Sequence, residues 1–97
     1  MKHFVIIINY KKTLEEIEKL TSSHRLFLDE GYSKKILLMS GPKVPRDGGV
    51  IIARSNSIEE LKDFFSRDPY YINDGADYVF IEFNPLKKQS FLEDWIE

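Results

Sequence analysis

The strand-like segments of this chain constrain its fold most, because they are apolar on two sides instead of one. Residues 4–8 read Phe-Val-Ile-Ile-Ile, a continuous and mostly β-branched run. A run of this kind is typical of a strand that is buried on both faces of a sheet. Alternation is equally weak in three later segments, residues 36–39, 50–53 and 77–83. The chain is therefore predicted to form a four-stranded sheet that needs cover on both faces.

Two helices are predicted between these strands. Thr13, with two glutamates close behind it, predicts a helix start, since a hydroxyl caps free amides and acids favour the positive end of the helix dipole. Gly31 offers a stop for this helix. The same start signal occurs at Ser57, and Pro69 is expected to end the second helix. The stripe of the first helix is Leu14, Ile17, Thr21, His24, Phe27 and Leu28, and that of the second is Ile58, Leu61, Phe64 and Phe65.

The order of these elements predicts the fold class. The segment from Lys43 to Gly49 contains proline and glycines and reads as a hairpin connection between the second and third strands. The order is then β-α-β-β-α-β, the split βαβ arrangement of ferredoxin-like α+β folds. A chain of 97 residues suffices for one such domain. We expect the domain over residues 1–85 and a C-terminal tail over residues 86–97, which forms a short helix at a subunit edge.

Charge and cysteine content narrow the function classes. The net charge is −2 without a basic stripe, which argues against nucleic acid or an anionic membrane as partner. The chain has no cysteine and therefore no disulfide framework, thiolate nucleophile or cysteine-based metal site. The first apolar run is too short to span a membrane, and no small-residue cleavage site follows it. A cytoplasmic protein is expected.

The apolar second face of the sheet predicts a homodimer. Two helices can cover only one face, and a bare second face would exceed the apolar patch that soluble monomers tolerate. Burying several hundred Å² of it yields about 10 kcal/mol before association costs. A two-fold pair of identical chains is the simplest cover. The alternative is that the tail covers this face through Phe91, Leu92, Trp95 and Ile96, but two helical turns are too short for that. The tail could instead dock on a neighbouring subunit and build a higher oligomer.

His24 and Asp68 are the candidate catalytic residues. His24 lies on the apolar stripe of the first helix, where a buried imidazole needs hydrogen-bond partners. Asp68 would lie on the matching stripe of the second helix if that helix reached it. Both helices lie on one side of the sheet, so the two side chains can meet as a general acid or base unit. The alternatives are a structural histidine and a helix-end aspartate. One His and one Asp are too few ligands for a metal site.

Several further residues are candidates for ligand binding. Ser40, Gly41 and Pro42 end a central strand, where a turn could present amides or a hydroxyl to a ligand, although a plain turn explains them equally well. Tyr70 could form the wall of a pocket or pack at a helix end. Four cations could recognise an anionic group, but scattered surface charge is the preferred interpretation for Lys43, Arg46, Arg54 and Arg67. The sequence has no phosphate-binding glycine loop, nucleophile elbow or dinucleotide fingerprint.

These residues together resemble the YCII-related (YciI-like) family over residues 1 to about 85. The similar features are an N-terminal strand, His24 followed by Phe27-Leu28, the strand end Leu37-Leu38-Met39-Ser40-Gly41-Pro42, the turn Asp47-Gly48-Gly49, and Asp68-Pro69-Tyr70 with Gly75 downstream. The resemblance implies a dimeric α/β-barrel of ferredoxin-like subunits with a His24–Asp68 dyad and the Ser40 to Pro42 segment near one pocket. One activity described in the family is dehydrochlorination of a chlorinated hydroxyquinol.

Three hypotheses about function follow. The first is an enzyme of lyase or isomerase type that transfers a proton on a small molecule without a metal or an organic cofactor, with His24 as base or acid and Asp68 as its orienting partner. The second is a homodimer that binds a metabolite and performs no chemistry. The third is a structural dimer in which His24 only packs. The sequence favours them in this order, and it does not identify the substrate.

Overall fold

Four strands form one antiparallel sheet in the computed structural model, which describes residues 1–96. In chain order they are β1 (Lys2–Tyr10), β2 (Leu37–Pro42), β3 (Gly48–Ser55) and β4 (Ala76–Phe83). Their spatial order is β2-β3-β1-β4, so β1 lies in the middle and pairs with both β3 and β4. With a helix after β1 and another after β3, this is the ferredoxin-like βαββαβ α+β fold, and the predicted fold class is confirmed.

Both long helices begin where the sequence predicts. Helix α1 (Leu14–Ser33) starts with a capping box, in which the Thr13 hydroxyl accepts from the Glu16 amide at 3.2 Å and the Glu16 carboxylate accepts from the Thr13 amide. Helix α2 (Ile58–Phe65) starts at Ser57, whose hydroxyl accepts from the Glu60 amide at 3.1 Å. These caps satisfy amides that have no partner inside the helix.

The ends of the helices differ from the prediction. Helix α1 continues through Gly31 to Ser33. The glycine allows close packing instead of ending the helix, since a Cβ there would lie 2.6 Å from Cδ1 of Leu37. Helix α2 ends at Phe65, and Pro69 begins a separate short helix, α3 (Pro69–Ile72). A proline suits the first helical position, where its missing amide hydrogen is not needed.

The sheet has a helix face and an open face. The helix face includes Phe4, Ile6 and Ile8 of β1, which are buried in a core with side chains of α1 and α2. The open face includes Val5 and Ile7 of β1 together with their pairing partners on either side. Those partners are Ile52 and Val50 on β3 and Ile81 and Val79 on β4. The weak alternation in the sequence therefore reflects apolar residues on both faces.

The C-terminal tail lies at one end of the open face. It consists of a 3₁₀ turn, Ser90–Leu92, and helix α4, Glu93–Ile96. The Arg54 guanidinium lies 4.1 Å from the ring centre of Trp95 and donates from Nη1 to the Trp95 carbonyl at 2.8 Å. Nε2 of His3 lies 3.1 Å from the Ile96 carbonyl oxygen, within hydrogen-bond distance. Over residues 1–96, no helix has both the length and the hydropathy that crossing a bilayer requires.

Candidate functional site

Asp68 is positioned by the start of helix α3. The residue before a proline is driven towards extended backbone, and Asp68 has φ −65° and ψ 128°. Extended backbone is also typical of an N-cap, and the carboxylate accepts from the Tyr70 amide at 3.1 Å. Asp68 therefore reaches the core as the cap of α3 and not as a member of the α2 stripe. Asp68 was expected on the α2 stripe only if that helix reached it, and α2 ends at Phe65, while the expected proximity to His24 is observed.

The Asp68 carboxylate is completely buried and is hydrogen-bonded on both oxygens. Nδ1 of His24 lies 2.8 Å from Oδ1 and 3.0 Å from Oδ2, and the Tyr78 hydroxyl donates to Oδ2 at 2.6 Å. Together with the Tyr70 amide, these donors offset the cost of removing a carboxylate from water. Because a carboxylate accepts, Nδ1 of His24 carries the hydrogen in this pair. Burial, and then the negative charge of Asp68, raise the pKa of Tyr78, so its hydroxyl stays a donor.

Tyr70 holds the imidazole of His24 from one side. The two rings are stacked with centroids 3.9 Å apart and planes 11° from parallel. The Tyr70 hydroxyl lies 2.9 Å from the hydroxyl oxygen of Thr21, which in turn donates to the Ile17 carbonyl at 3.0 Å. Burial is the main cause that raises the pKa of Tyr70. The ring of His24 is thus fixed by a hydrogen bond at Nδ1 and by stacking on its face.

A cavity of about 290 Å³ lies beside His24, between α1 and the β2–β3 hairpin. Its lining is His24, Thr21, Arg25 and Leu28 of α1, Ser40, Gly41 and Pro42 of β2, Arg46 of the hairpin, Ile8 and Tyr10 of β1, Gly49, Val50 and Ile51 of β3, and Tyr70. Nδ1 of His24 is bound to Asp68, and within residues 1–96 no protein atom is hydrogen-bonded to Nε2. Nε2 is therefore the nitrogen available to a ligand.

Residues 1–84 match the YCII-related domain family. The chain belongs to the YCII-related family. A search among curated proteins found no match. Among solved structures, the chain is similar to the 5-chloro-2-hydroxyhydroquinone dehydrochlorinase TftG from Burkholderia phenoliruptrix AC1100, solved in complex with 2,5-dihydroxybenzoquinone. The TM-score is 0.71 at 17 % identity, over 92 % of this chain and 97 % of that one. The likeness supports the fold, and the family match confirms the resemblance inferred from the sequence.

The structure brings the predicted site residues of this YCII-related chain together. Ser40, Gly41, Pro42 and Tyr70 line the same cavity as His24, and Asp68 lies behind the histidine. The predicted turn at Ser40 to Pro42 is instead paired strand, because these residues face Ile51, Val50 and Gly49 of β3. The Ser40 hydroxyl lies 2.7 Å from the Tyr32 hydroxyl, within hydrogen-bond distance. The fold thus places these side chains around one cavity.

Arg46 corrects one sequence-based interpretation. It was grouped with surface charges, yet it lines the cavity and Nη2 donates to Thr21 Oγ1 at 3.3 Å. The other three cations do lie elsewhere. Lys43 binds the Asn9 side chain, Arg54 binds the tail and Arg67 pairs with Glu30. The sequence did contain one indication that Arg46 lies near the site: it immediately precedes the Asp47-Gly48-Gly49 turn, which is part of the family pattern.

Tyr78 is the second residue that sequence reasoning missed. Its alternation with Val79 places it on the helix face, but nothing local indicates that its hydroxyl reaches Asp68. That contact depends on where the start of α3 places the Asp68 carboxylate.

Within residues 1–96, no three His, Asp or Glu side chains lie together as a protein metal site would require.

Proposed function

We propose that this chain is a small-molecule enzyme that transfers a proton in the cavity beside His24, as a lyase or isomerase. The carrying observation is the orientation of the imidazole: Nδ1 is bound to a fully buried carboxylate, and the opposite nitrogen is left for a ligand. A histidine held in this way is a common general base, because the carboxylate fixes its tautomer and stabilises the imidazolium.

The proposed step needs only groups of the chain. Nε2 of His24 takes a proton from a C–H or O–H of the substrate, and the Asp68 carboxylate stabilises the resulting imidazolium. The electron pair left on the substrate then expels a leaving group or moves along a conjugated system. The imidazolium returns its proton to solvent or to another substrate atom. In a dehydrochlorination the proton leaves through His24 and the chloride leaves from the substrate, a net loss of HCl, and the similar structure is a dehydrochlorinase. Neither a metal nor an organic cofactor is required by this scheme.

The test compares the two histidines of the chain. The first probe is 5-chloro-2-hydroxyhydroquinone, followed by release of chloride and by mass spectrometry of the product. His24→Gln should lower the rate by about 10²–10⁴-fold, the usual contribution of a general acid or base. His3→Gln is the matched control, because His3 contacts the tail and is absent from the cavity lining. Asp68→Asn should also lower the rate, because an amide can donate to Nδ1 and favour the wrong tautomer.

Two outcomes contradict the enzyme proposal. Turnover by His24→Gln at the rate of the unchanged protein would remove His24 from the chemistry. If the protein binds the probe and the compound is recovered unchanged, the second hypothesis applies, in which a homodimer binds a metabolite without catalysis. In that case Asp68 and Tyr70 would only orient the imidazole for recognition.

We also propose that the protein is a homodimer formed through the open face. Val79, Ile81 and Phe83 of β4 project from this face and are 46 %, 47 % and 41 % exposed. As far as residue 96, the tail covers only the end of the face near His3 and Arg54, so the apolar centre needs another cover. Ile81→Asp should convert the dimer to a monomer in sedimentation equilibrium. Ile72→Asp is the matched control, because Ile72 is an exposed isoleucine on helix α3. A monomer at micromolar concentration before any substitution contradicts this proposal.

A further inference from the structure

The charge of the cavity beside His24 is one-sided. Arg25 and Arg46 line it, and within residues 1–96 no Asp or Glu does so. Two carboxylates lie close to the cavity without lining it: Asp68 is fully buried behind His24, and Glu18 pairs with Arg46. The chain as a whole carries a net charge of −2, so this excess of positive groups is local and not a property of the composition. A concave site lined by one sign of charge concentrates ligands of the opposite sign.

Arg46 lies within one helical turn of the proposed base. Its Nη2 donates to the hydroxyl oxygen of Thr21 at 3.3 Å, and Thr21 precedes His24 by three residues on α1. Residues at this spacing are neighbours on a helix surface. The Arg46 guanidinium is a permanent cation, because arginine stays protonated in proteins at any ordinary pH. A ligand that reaches Nε2 of His24 therefore also reaches a permanent cation.

The present partner of Arg46 shows which group it can bind. Nη1 of Arg46 donates to the carboxylate of Glu18, which lies one turn before Thr21 on α1, is 55 % exposed and does not line the cavity. Exposed ion pairs contribute little to stability because water screens them. A ligand oxyanion inside the cavity, where water is partly excluded, can replace this carboxylate at small cost. The Glu18 carboxylate therefore shows that the Arg46 guanidinium is oriented to bind an oxyanion.

The size and walls of the cavity limit the rest of the ligand. A cavity of about 150 Å³ accepts benzene in another protein, and here the volume is about 290 Å³. This space suits one substituted ring. Tyr10, Tyr70 and Pro42 contribute flat apolar surface to the lining, which favours a planar compound.

We infer that the ligand is a single-ring compound with an anionic oxygen group, a carboxylate or a ring oxyanion, that Arg46 binds while the ring lies beside His24. The inference rests on the proposed function and assigns its substrate class. Arg46 holds the anion and thereby places the ring for proton transfer. When the proton moves to His24 from a conjugated ring, the guanidinium also stabilises the negative charge that develops on a ring oxygen.

The experiment measures binding by calorimetry for pairs of compounds that differ in charge. Benzoate and benzamide form the carboxylate arm, and anionic 2,5-dihydroxybenzoquinone and its neutral analogue 2,5-dimethoxybenzoquinone form the ring-oxyanion arm. In at least one arm the anion should bind about tenfold or more tightly than its neutral partner, the factor that a charged hydrogen bond is worth. Arg46→Gln should remove this preference and leave the neutral compound unaffected. Arg67→Gln is the matched control, because its guanidinium pairs with Glu30 outside the cavity.

Glu18→Gln provides a change in the opposite direction. Removing the competing carboxylate should tighten binding of the anion several-fold, whereas a purely structural role of the Glu18–Arg46 pair would not. Equal binding of charged and neutral compounds in both arms, absence of binding of all four compounds at millimolar concentration, or equal losses in Arg46→Gln and Arg67→Gln would overturn the inference. His24→Gln separates it from the proposed function: that variant should keep the anion preference. An anion preference without turnover rejects only the enzyme proposal, and turnover without anion preference rejects only the substrate class.

Discussion

On the helix face of the sheet the protein buries a carboxylate completely, whereas on the open face it leaves Val79, Ile81 and Phe83 nearly half exposed. Each face departs from the usual distribution of polar and apolar side chains, in opposite directions. On the helix face the departure is compensated within the chain, because His24, Tyr78 and the Tyr70 amide bind Asp68. On the open face residues 1–96 supply only the tail, at one end.

This difference separates the two tasks proposed for the molecule. A buried charge with all its partners in place is costly to arrange, and such sites are frequent where a side chain must be held for chemistry. An apolar face without cover is a common mark of association. Strand β1 contributes to both faces, because Ile6 points into the core and Ile7 points to the open face. The variants below test whether the two faces are as different as the structure indicates.

The largest effect is expected from truncation on the helix face. Ile6 is fully buried in the core, so Ile6→Ala should lower the free energy of unfolding by about 2–5 kcal/mol. Ile7→Ala is the matched control: the same change one residue later, on the open face, should cost clearly less in dilute solution because Ile7 is only partly buried. Urea unfolding measures both. Equal losses at low concentration would remove the contrast, and a loss for Ile7 that grows with protein concentration would sharpen it by showing association.

The second effect concerns the buried carboxylate. Asp68→Asn replaces one acceptor oxygen with a donor, so either the Tyr78 hydroxyl or a nitrogen of the peptide or imidazole loses its partner. The free energy of unfolding should fall by about 1–3 kcal/mol. Asp29→Asn, at an exposed position on α1, should change it very little. If both variants unfold at the same urea concentration, the network around Asp68 does not stabilise the fold, and its compensation of the buried charge is in doubt.

Much of this contrast can be predicted from the sequence, because it depends on local patterns. Uninterrupted apolar runs indicate strands with two apolar faces, and the stripe on α1 carries His24 into the core. The caps at Thr13 and Ser57 indicate where the helices begin. These are signals within a few residues of the element that they describe.

What could not be predicted depends on contacts between distant segments. Asp68 reaches His24 through the short helix α3, whose existence the pattern of α2 does not show. Arg46 lines the cavity because the β2–β3 hairpin folds against α1. Its hydrogen-bond partners, Thr21 and Glu18, are more than twenty residues away in sequence. Alternation places Tyr78 and Val79 on opposite faces of the sheet, but the hydrogen bond from Tyr78 to Asp68 depends on where α3 begins. The helix end expected at Gly31 was also wrong. The glycine is needed there because the Leu37 side chain packs too closely for a Cβ.

The third effect is a pH dependence that originates on the helix face. The pKa of Tyr78 is raised by burial and by Asp68, so above about pH 10 the unfolded chain ionises this tyrosine while the folded chain keeps its proton. The free energy of unfolding therefore falls as the pH rises, by at most about 1.4 kcal/mol per pH unit from this group. Tyr78→Phe should show a shallower fall between pH 9 and pH 11. Tyr71→Phe, at an exposed position, is the matched control and should retain the slope of the unchanged protein.

The smallest effect is expected at the tail, where the open face receives its only cover from residues 1–96 of its own chain. Arg54→Gln removes the cation from the face of Trp95 and the hydrogen bond from Nη1 to the Trp95 carbonyl. The free energy of unfolding should fall by about 0.5–1 kcal/mol, the lower part of the range for a cation–π contact. Trp95 is the only tryptophan, so its fluorescence reports directly on docking and should shift to longer wavelength as the ring becomes hydrated. Lys62→Gln is the matched control, because its ammonium contacts Phe80 and not the tail. An unchanged emission in Arg54→Gln would mean that apolar contacts alone hold the tail. The open face would then bind its own chain through the same kind of contact that forms the core, and the two faces would differ less than proposed.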